Sequence, residues 1–207
     1  MINLEDFFQY YKATPNQTKA IEMLAKEMPI ELLGDDSPWV LQYRTADAAA
    51  DLGSIPQQGV DLCHSFEGCR LAPYLCPAGV PTIGWGNTRY EDGVAVKLTD
   101  PAIDQERADV LFVNISEKDF WNIIKTTIPY WGEMNDNQRS ALFDFSYNLG
   151  ARFFNSAGFG TISRELANHN WQAVPDALML YCNPGTAYEA GLKRRRAAEG
   201  DLWCKPI

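Results

Sequence analysis

The stretch Phe66-Glu-Gly-Cys-Arg-Leu-Ala-Pro-Tyr-Leu-Cys-Pro-Ala-Gly-Val-Pro-Thr-Ile-Gly-Trp-Gly-Asn-Thr88 decides the fold of this chain. It begins as the end of a helix, with Gly68 as a stop, and continues as an alternating run punctuated by Pro77, Gly79 and Pro81. That order predicts a helix followed by a tight β-hairpin. Glu67 closes the helical part, Cys76 lies at a strand end and Thr82 follows on the return arm. Folding the hairpin back brings the three together, so that a carboxylic acid, a thiol and a hydroxyl share one wall of a cleft.

The spacing resembles the active-site region of phage-type lysozymes, the endolysins of glycoside hydrolase family 24. Their pattern is Glu, eight residues, Asp or less often Cys, five residues, Thr, and then Thr-Ile-Gly-aromatic-Gly-His-Thr. Here the frame is Glu67, Cys76 and Thr82, followed by Ile83-Gly84-Trp85-Gly86-Asn87-Thr88, with Cys76 in place of Asp and Asn87 in place of His. The resemblance covers residues 56 to 204. Its further landmarks are Ala141-Leu-Phe-Asp-Phe-Ser-Tyr-Asn-Leu-Gly150 and the closing Gly191-Leu-Lys-Arg-Arg-Arg-Ala-Ala-Glu-Gly-Asp-Leu-Trp203. It implies a lysozyme-like α+β fold, a small hairpin lobe before a larger helical one. It also implies a muramidase that cleaves the β-1,4 bond between N-acetylmuramic acid and N-acetylglucosamine in peptidoglycan, with no cofactor.

Composition is compatible with that reading and excludes others. The 207 residues suffice for one substantial core and a small appendage. A net charge of −9 speaks against non-specific nucleic-acid binding, which needs a basic face to displace counterions. Apolar runs are too short for a membrane span. The start, Met-Ile-Asn-Leu-Glu-Asp-Phe-Phe, carries acids where a secretory signal carries Lys or Arg. Synthesis in the host cytoplasm without an export signal, and action on the wall at lysis, are therefore expected. Five cysteines and two histidines lack metal-ligand spacing, so no metal site and free thiols are expected, in a monomer.

Residues 1 to 50 read as short helices, with Leu4, Phe7, Phe8 and Tyr11 at helical spacing. They are expected to form an acidic appendage, either packed on the main body or directed at the cell wall. Small polar residues 45 to 54 have linker composition, and a catalytic domain is expected over 56 to 207. Beyond the hairpin, Val94, Val96 and Leu98 alternate as a third strand does. Asp104 is placed to N-cap a helix that restarts or kinks near Ser116 and Asp119. Asn135 with Gln138 is a capping pair for a helix ended by Gly150, helices follow near 160 to 168 and 173 to 181, and Thr186 with Glu189 suggests a capping box for the last. A β-rich patch followed by helices is an α+β arrangement.

Hydrolysis of a glycosidic bond needs a proton for the leaving oxygen, stabilisation of an oxocarbenium-like sugar and a placed nucleophile. Glu67 is the natural acid, because a place beside Phe66 and under the hairpin would favour its neutral form. Cys76 either orients a water with help from Thr82, giving inversion, or attacks the sugar itself as a thiolate, giving retention. Gly84 and Gly86 let the backbone approach a sugar while Trp85 packs or stacks, and Asn87 keeps hydrogen-bonding capacity without a titratable group. The resemblance places Tyr147 and Asn148 on the cleft wall, and one of Arg194, Arg195 and Arg196 within reach of Glu67. Cys63 reads as a buried small residue. Two other functions fit the same residues: a glycan-binding or virion structural module without catalysis, and a chitin hydrolase.

Overall fold

The computed structural model describes residues 54 to 206. The expectations for residues 1 to 50 lie outside them. The first helix, α1 (Gln57–Phe66), starts after Pro56, whose extended backbone sets the entry, and ends at Glu67, whose N–H still reaches the Cys63 carbonyl. Its apolar side lies on the central helix at close range. A Cβ on Gly59 would sit 3.2 Å from Phe143 and Ser140, so the close approach of the neighbouring helix, not a turn, favours glycine in the first turn of α1.

The hairpin follows as β1 (Arg70–Leu75) and β2 (Pro81–Gly84), antiparallel, with Tyr74 opposite Thr82 and Leu75 opposite Pro81. Pro73 falls in β1 where the register slips between Arg70 and Tyr74, which suits a residue with no N–H to give the ladder. The expected third strand does not form among the described residues. Val94 and Leu98 stay half exposed and only Val96 is buried, against Ile83 and Leu111. The segment folds back on residues 88 to 90 instead, making a single bridge, Ala95 to Arg89, with Val96 N–H on the Thr88 carbonyl.

Then come α2 (Gln105–Ser116), capped by the Asp104 side chain on the Arg107 N–H, a π-helical turn (Glu117–Trp121), and α3 (Asn122–Thr127). The kink expected at Ser116 is this π turn. α4 (Asp136–Leu149) carries the full Asn135/Gln138 capping box and ends at Gly150, with φ of 102°. α5 (Gly160–Ala167), α6 (Val174–Met179) and α7 (Glu189–Cys204) complete the helical lobe.

The predicted capping box of the last helix is absent. Tyr188 is the N-cap, so Glu189 is already the first helical residue, and its carboxylate accepts from the Gly185 N–H while pairing with Lys193. Thr186 closes the preceding turn on the Asn183 carbonyl instead. The main core is aromatic: Phe112, Trp121, Phe143, Phe145 and Phe153 are almost fully buried around α4 and meet mostly edge to face. No described helix is long and apolar enough to cross a membrane.

Candidate active site

An open groove of about 400 Å³ runs between the hairpin segment and the helical lobe. Its lining includes Glu67 at the end of α1, Trp85, Gly86 and Asn87 after β2, Asp119 and Phe120 on the π turn, and Tyr147 and Asn148 on α4. The volume is in the range of ligand clefts. The π turn earns its place here: an extra residue in the helical ladder turns Asp119 and Phe120 toward the groove, where Asp119 pairs with Arg89 across the rim. Tyr147 joins the lobes by donating its hydroxyl to the Trp85 carbonyl at 3.1 Å. Burial, and next the charge of Glu67, push the Tyr147 phenol well up, so it remains a neutral donor.

The arginine that sequence reading left open is Arg195. Its Nη1 donates to Glu67 Oε1 at 2.6 Å, while Nε and Nη2 donate to the two oxygens of Asp144 at 2.9 and 2.8 Å. The guanidinium also lies over the Phe66 ring, 5.4 Å from its centroid. Arg196 is fully buried and turns the other way, to Asn148 Oδ1 and Glu199. Only Arg194 of the three is exposed. The expected desolvation of Glu67 is not what the fold provides: its side chain is 28% exposed and in direct contact with Arg195.

Cys76 follows β1 and is partly exposed, and it is absent from the groove lining, as is Thr82. Bonds from the backbone of Val80 and then Ala78 draw the thiol below its ordinary value, favouring the thiolate. Thr82 is buried; its hydroxyl donates to the Val80 carbonyl at 2.9 Å and also lies within reach of the Cys76 sulfur. With one proton it serves one of them at a time.

The residues at and after the end of β2 divide between groove and core. Gly84 is buried with φ of 60° and faces Ala108 of α2, at 3.5 Å from where a Cβ would be, so its freedom serves a turn against the core. Gly86 is the glycine that lines the groove. Trp85 borders the groove with one face covered: it stacks on His64 at 3.6 Å and its Nε1 donates to Asp109 at 2.6 Å. Asn87 borders the groove but is 7% exposed, with a buried Oδ1 that meets no donor.

Sequence reading missed Asp144, Glu199, Arg89 and Asp119. Asp144 carried a usable signal, since an acid three residues after Ala141 and three before Tyr147 falls on the stripe that packs inward. Cys63 is indeed buried, but it is more than filler: its thiol hydrogen-bonds Asp144.

Comparison with known proteins gives one consistent answer. The family model for phage lysozyme matches residues 64 to 199. The endolysin of Salmonella phage P22 is 31% identical over 144 residues, 69% of this chain and 92% of that protein. The SAR-endolysin of Escherichia phage P1 is 31% identical over 158 residues, 70% and 79% of the two chains. Among solved structures, the endolysin of Escherichia coli O157:H7 phage FAHEc1 superposes with a TM-score of 0.64 at 27% identity, covering 75% of this chain and 96% of that one. The muramidase domain of SpmX from Asticaccaulis excentricus gives 0.56 at 26% identity, covering 73% and 98%. With a carboxylate at the end of α1, a hairpin beside it and a groove between lobes, the chain belongs to the phage lysozyme family and is a glycoside hydrolase of muramidase type.

Proposed function

We propose that the protein is an endolysin that hydrolyses the β-1,4 bond between N-acetylmuramic acid and N-acetylglucosamine, with Glu67 as general acid. It is made in the host cytoplasm and meets peptidoglycan once a separate protein has opened the inner membrane. The observation that carries this reading is the placement of Glu67. Its carboxyl stands on the wall of the groove with Oε1 held by Arg195, which leaves Oε2 for the glycosidic oxygen. Positioning of this kind, with proton transfer in the transition state, supplies on the order of 10²- to 10⁴-fold in rate.

Cys76 and Thr82 act from the hairpin. The backbone bonds that favour the Cys76 thiolate support a role as nucleophile, and the nearby Thr82 hydroxyl supports a role in holding water. The anomeric configuration of the first product separates these: a retained product selects the covalent route and an inverted one selects water. Tyr147, Asn148, Gly86 and Asn87 bind the sugar chain along the groove.

Release of reducing ends from purified sacculi is the test. Glu67→Gln should lower it by about 10³-fold without unfolding the protein, and full activity in that variant would remove the proposal. Cleavage of soluble chito-oligosaccharides in preference to sacculi would instead make the substrate chitin. Saturable binding to sacculi with no cleavage at any pH would make the protein a binding module.

A further inference from the structure

The groove rests on a cluster of charges that the general-acid reading does not use. Asp144 sits in the middle of α4 with no exposed surface, and Arg195 of α7 is 5% exposed. Burial works against the charge on Asp144, but the bonds from Arg195 and Glu199 outweigh it and hold the carboxyl below its usual range. The Cys63 thiol from α1 adds a further hydrogen bond. Asp144 is thus an ionised carboxylate anchored from α1 and α7 together.

A guanidinium beside a catalytic carboxyl has two opposed effects. Its N–H fixes the carboxyl in space, which helps a proton donor, while its charge favours the carboxylate, which disables one. Here the two effects are separated. Asp144 takes Nε and Nη2 as a bidentate pair, offsets the charge of Arg195 from the side away from the groove, and aims the remaining Nη1 at Glu67. The other ionisable groups around the cluster are Cys63 from α1, Tyr147 on α4, Arg196 and Glu199 from α7, and Tyr74 of β1 acting on Tyr147. Arg196 is directed to Asn148 and Glu199 and gives no hydrogen bond to Glu67. Burial above all keeps the Glu199 carboxyl well up, and its bonding to Asp144 adds to this. When Asp144 loses its charge Glu199 ionises more easily, but toward Arg196, so it does not replace the two bonds on Arg195.

We propose that Asp144 is the positioning residue of the active-site acid, acting through Arg195 to hold Glu67 in place while offsetting the cation that would keep it ionised. The inference rests on reading Glu67 as the general acid. Asp144→Asn keeps the shape and removes the charge. The basic limb of kcat/KM against pH should move to lower pH by about one unit. At neutral pH kcat should fall about tenfold with KM nearly unchanged.

In an Arg195→Gln background the same substitution should produce no comparable shift. A limb that stays in place while activity or melting temperature falls would mean that Asp144 is merely structural, and would overturn the proposal; so would an equal shift in the Arg195→Gln background. If Asp144→Asn does not accumulate as folded protein, carboxyl ¹³C titration of the wild type decides. Asp144 must be ionised at the pH where Glu67 titrates, and a protonated Asp144 there overturns the idea. Failure of the underlying reading looks different: Glu67→Gln would retain activity.

Discussion

The hairpin and the helical lobe hold their polar groups in opposite ways. On the hairpin, Cys76 and Thr82 are positioned by backbone groups of the turn, in a segment whose apolar residues Leu75 and Val80 stay largely exposed. In the helical lobe, Arg195, Asp144 and Glu199 are held by other side chains, sealed between α1, α4 and α7. A partly exposed group fixed by backbone, such as Cys76, can be exchanged at little cost to the fold. Buried charges cannot, because each removed partner strands another in a medium that solvates it poorly.

The sharpest way to break this contrast is Arg195→Met. It leaves Asp144 buried without its cation and should destabilise the protein by about 3–5 kcal/mol, read from urea unfolding midpoints; a loss under about 1 kcal/mol would show that the cluster does not carry the lobe. Cys76→Ala should do the reverse. A fall of about 10²-fold in rate, or about 2.7 kcal/mol in the barrier, should accompany a stability change within about 0.5 kcal/mol, and a restored part-activity in Cys76→Asp would confirm that the position and not the sulfur is required.

Gly79→Ala probes the hairpin turn itself. Nothing lies within 4 Å of the added methyl, yet φ is +74°, so the cost is backbone strain alone, about 1 kcal/mol. A larger effect would mean that the hairpin is more cooperative with the helices than its exposure suggests.

The smallest effect concerns an ion pair outside the groove. Arg107 holds the Glu91 carboxyl down to about 2 through two hydrogen bonds, against an ordinary value of 4.5. A depressed acid stabilises the fold above its unfolded value and loses that contribution as pH falls toward its folded one. Glu91→Gln should therefore melt slightly below wild type at neutral pH, by less than about 1 kcal/mol given solvent screening, and the gap should close between pH 4.5 and 2. A gap that persists at the acid end would place the effect in packing.

What was legible in the sequence was local. Asn135 and Gln138 form their capping box because both partners lie within one turn of the same helix, and Asp104 caps α2 for the same reason. The helix-to-hairpin transition after Glu67 follows from glycine and proline placement. Thr186 and Glu189 show the limit of such signals: the pair has capping spacing, but the helix starts two residues later than that reading needs. Val94, Val96 and Leu98 show another, since alternation forms a strand only where the chain is brought alongside a partner strand, and here it turns back on Arg89 in a single bridge.

By itself, then, the sequence determined the order of helix, hairpin and helices, the acid at the end of α1, and the family, because these depend on residues close together along the chain. Tertiary structure alone decided which of three consecutive arginines faces Glu67, and that Asp144 stands behind it. Neighbouring residues on a helix point about 100° apart, so only the packing of α7 against α1 and α4 selects the one whose side chain meets both carboxylates.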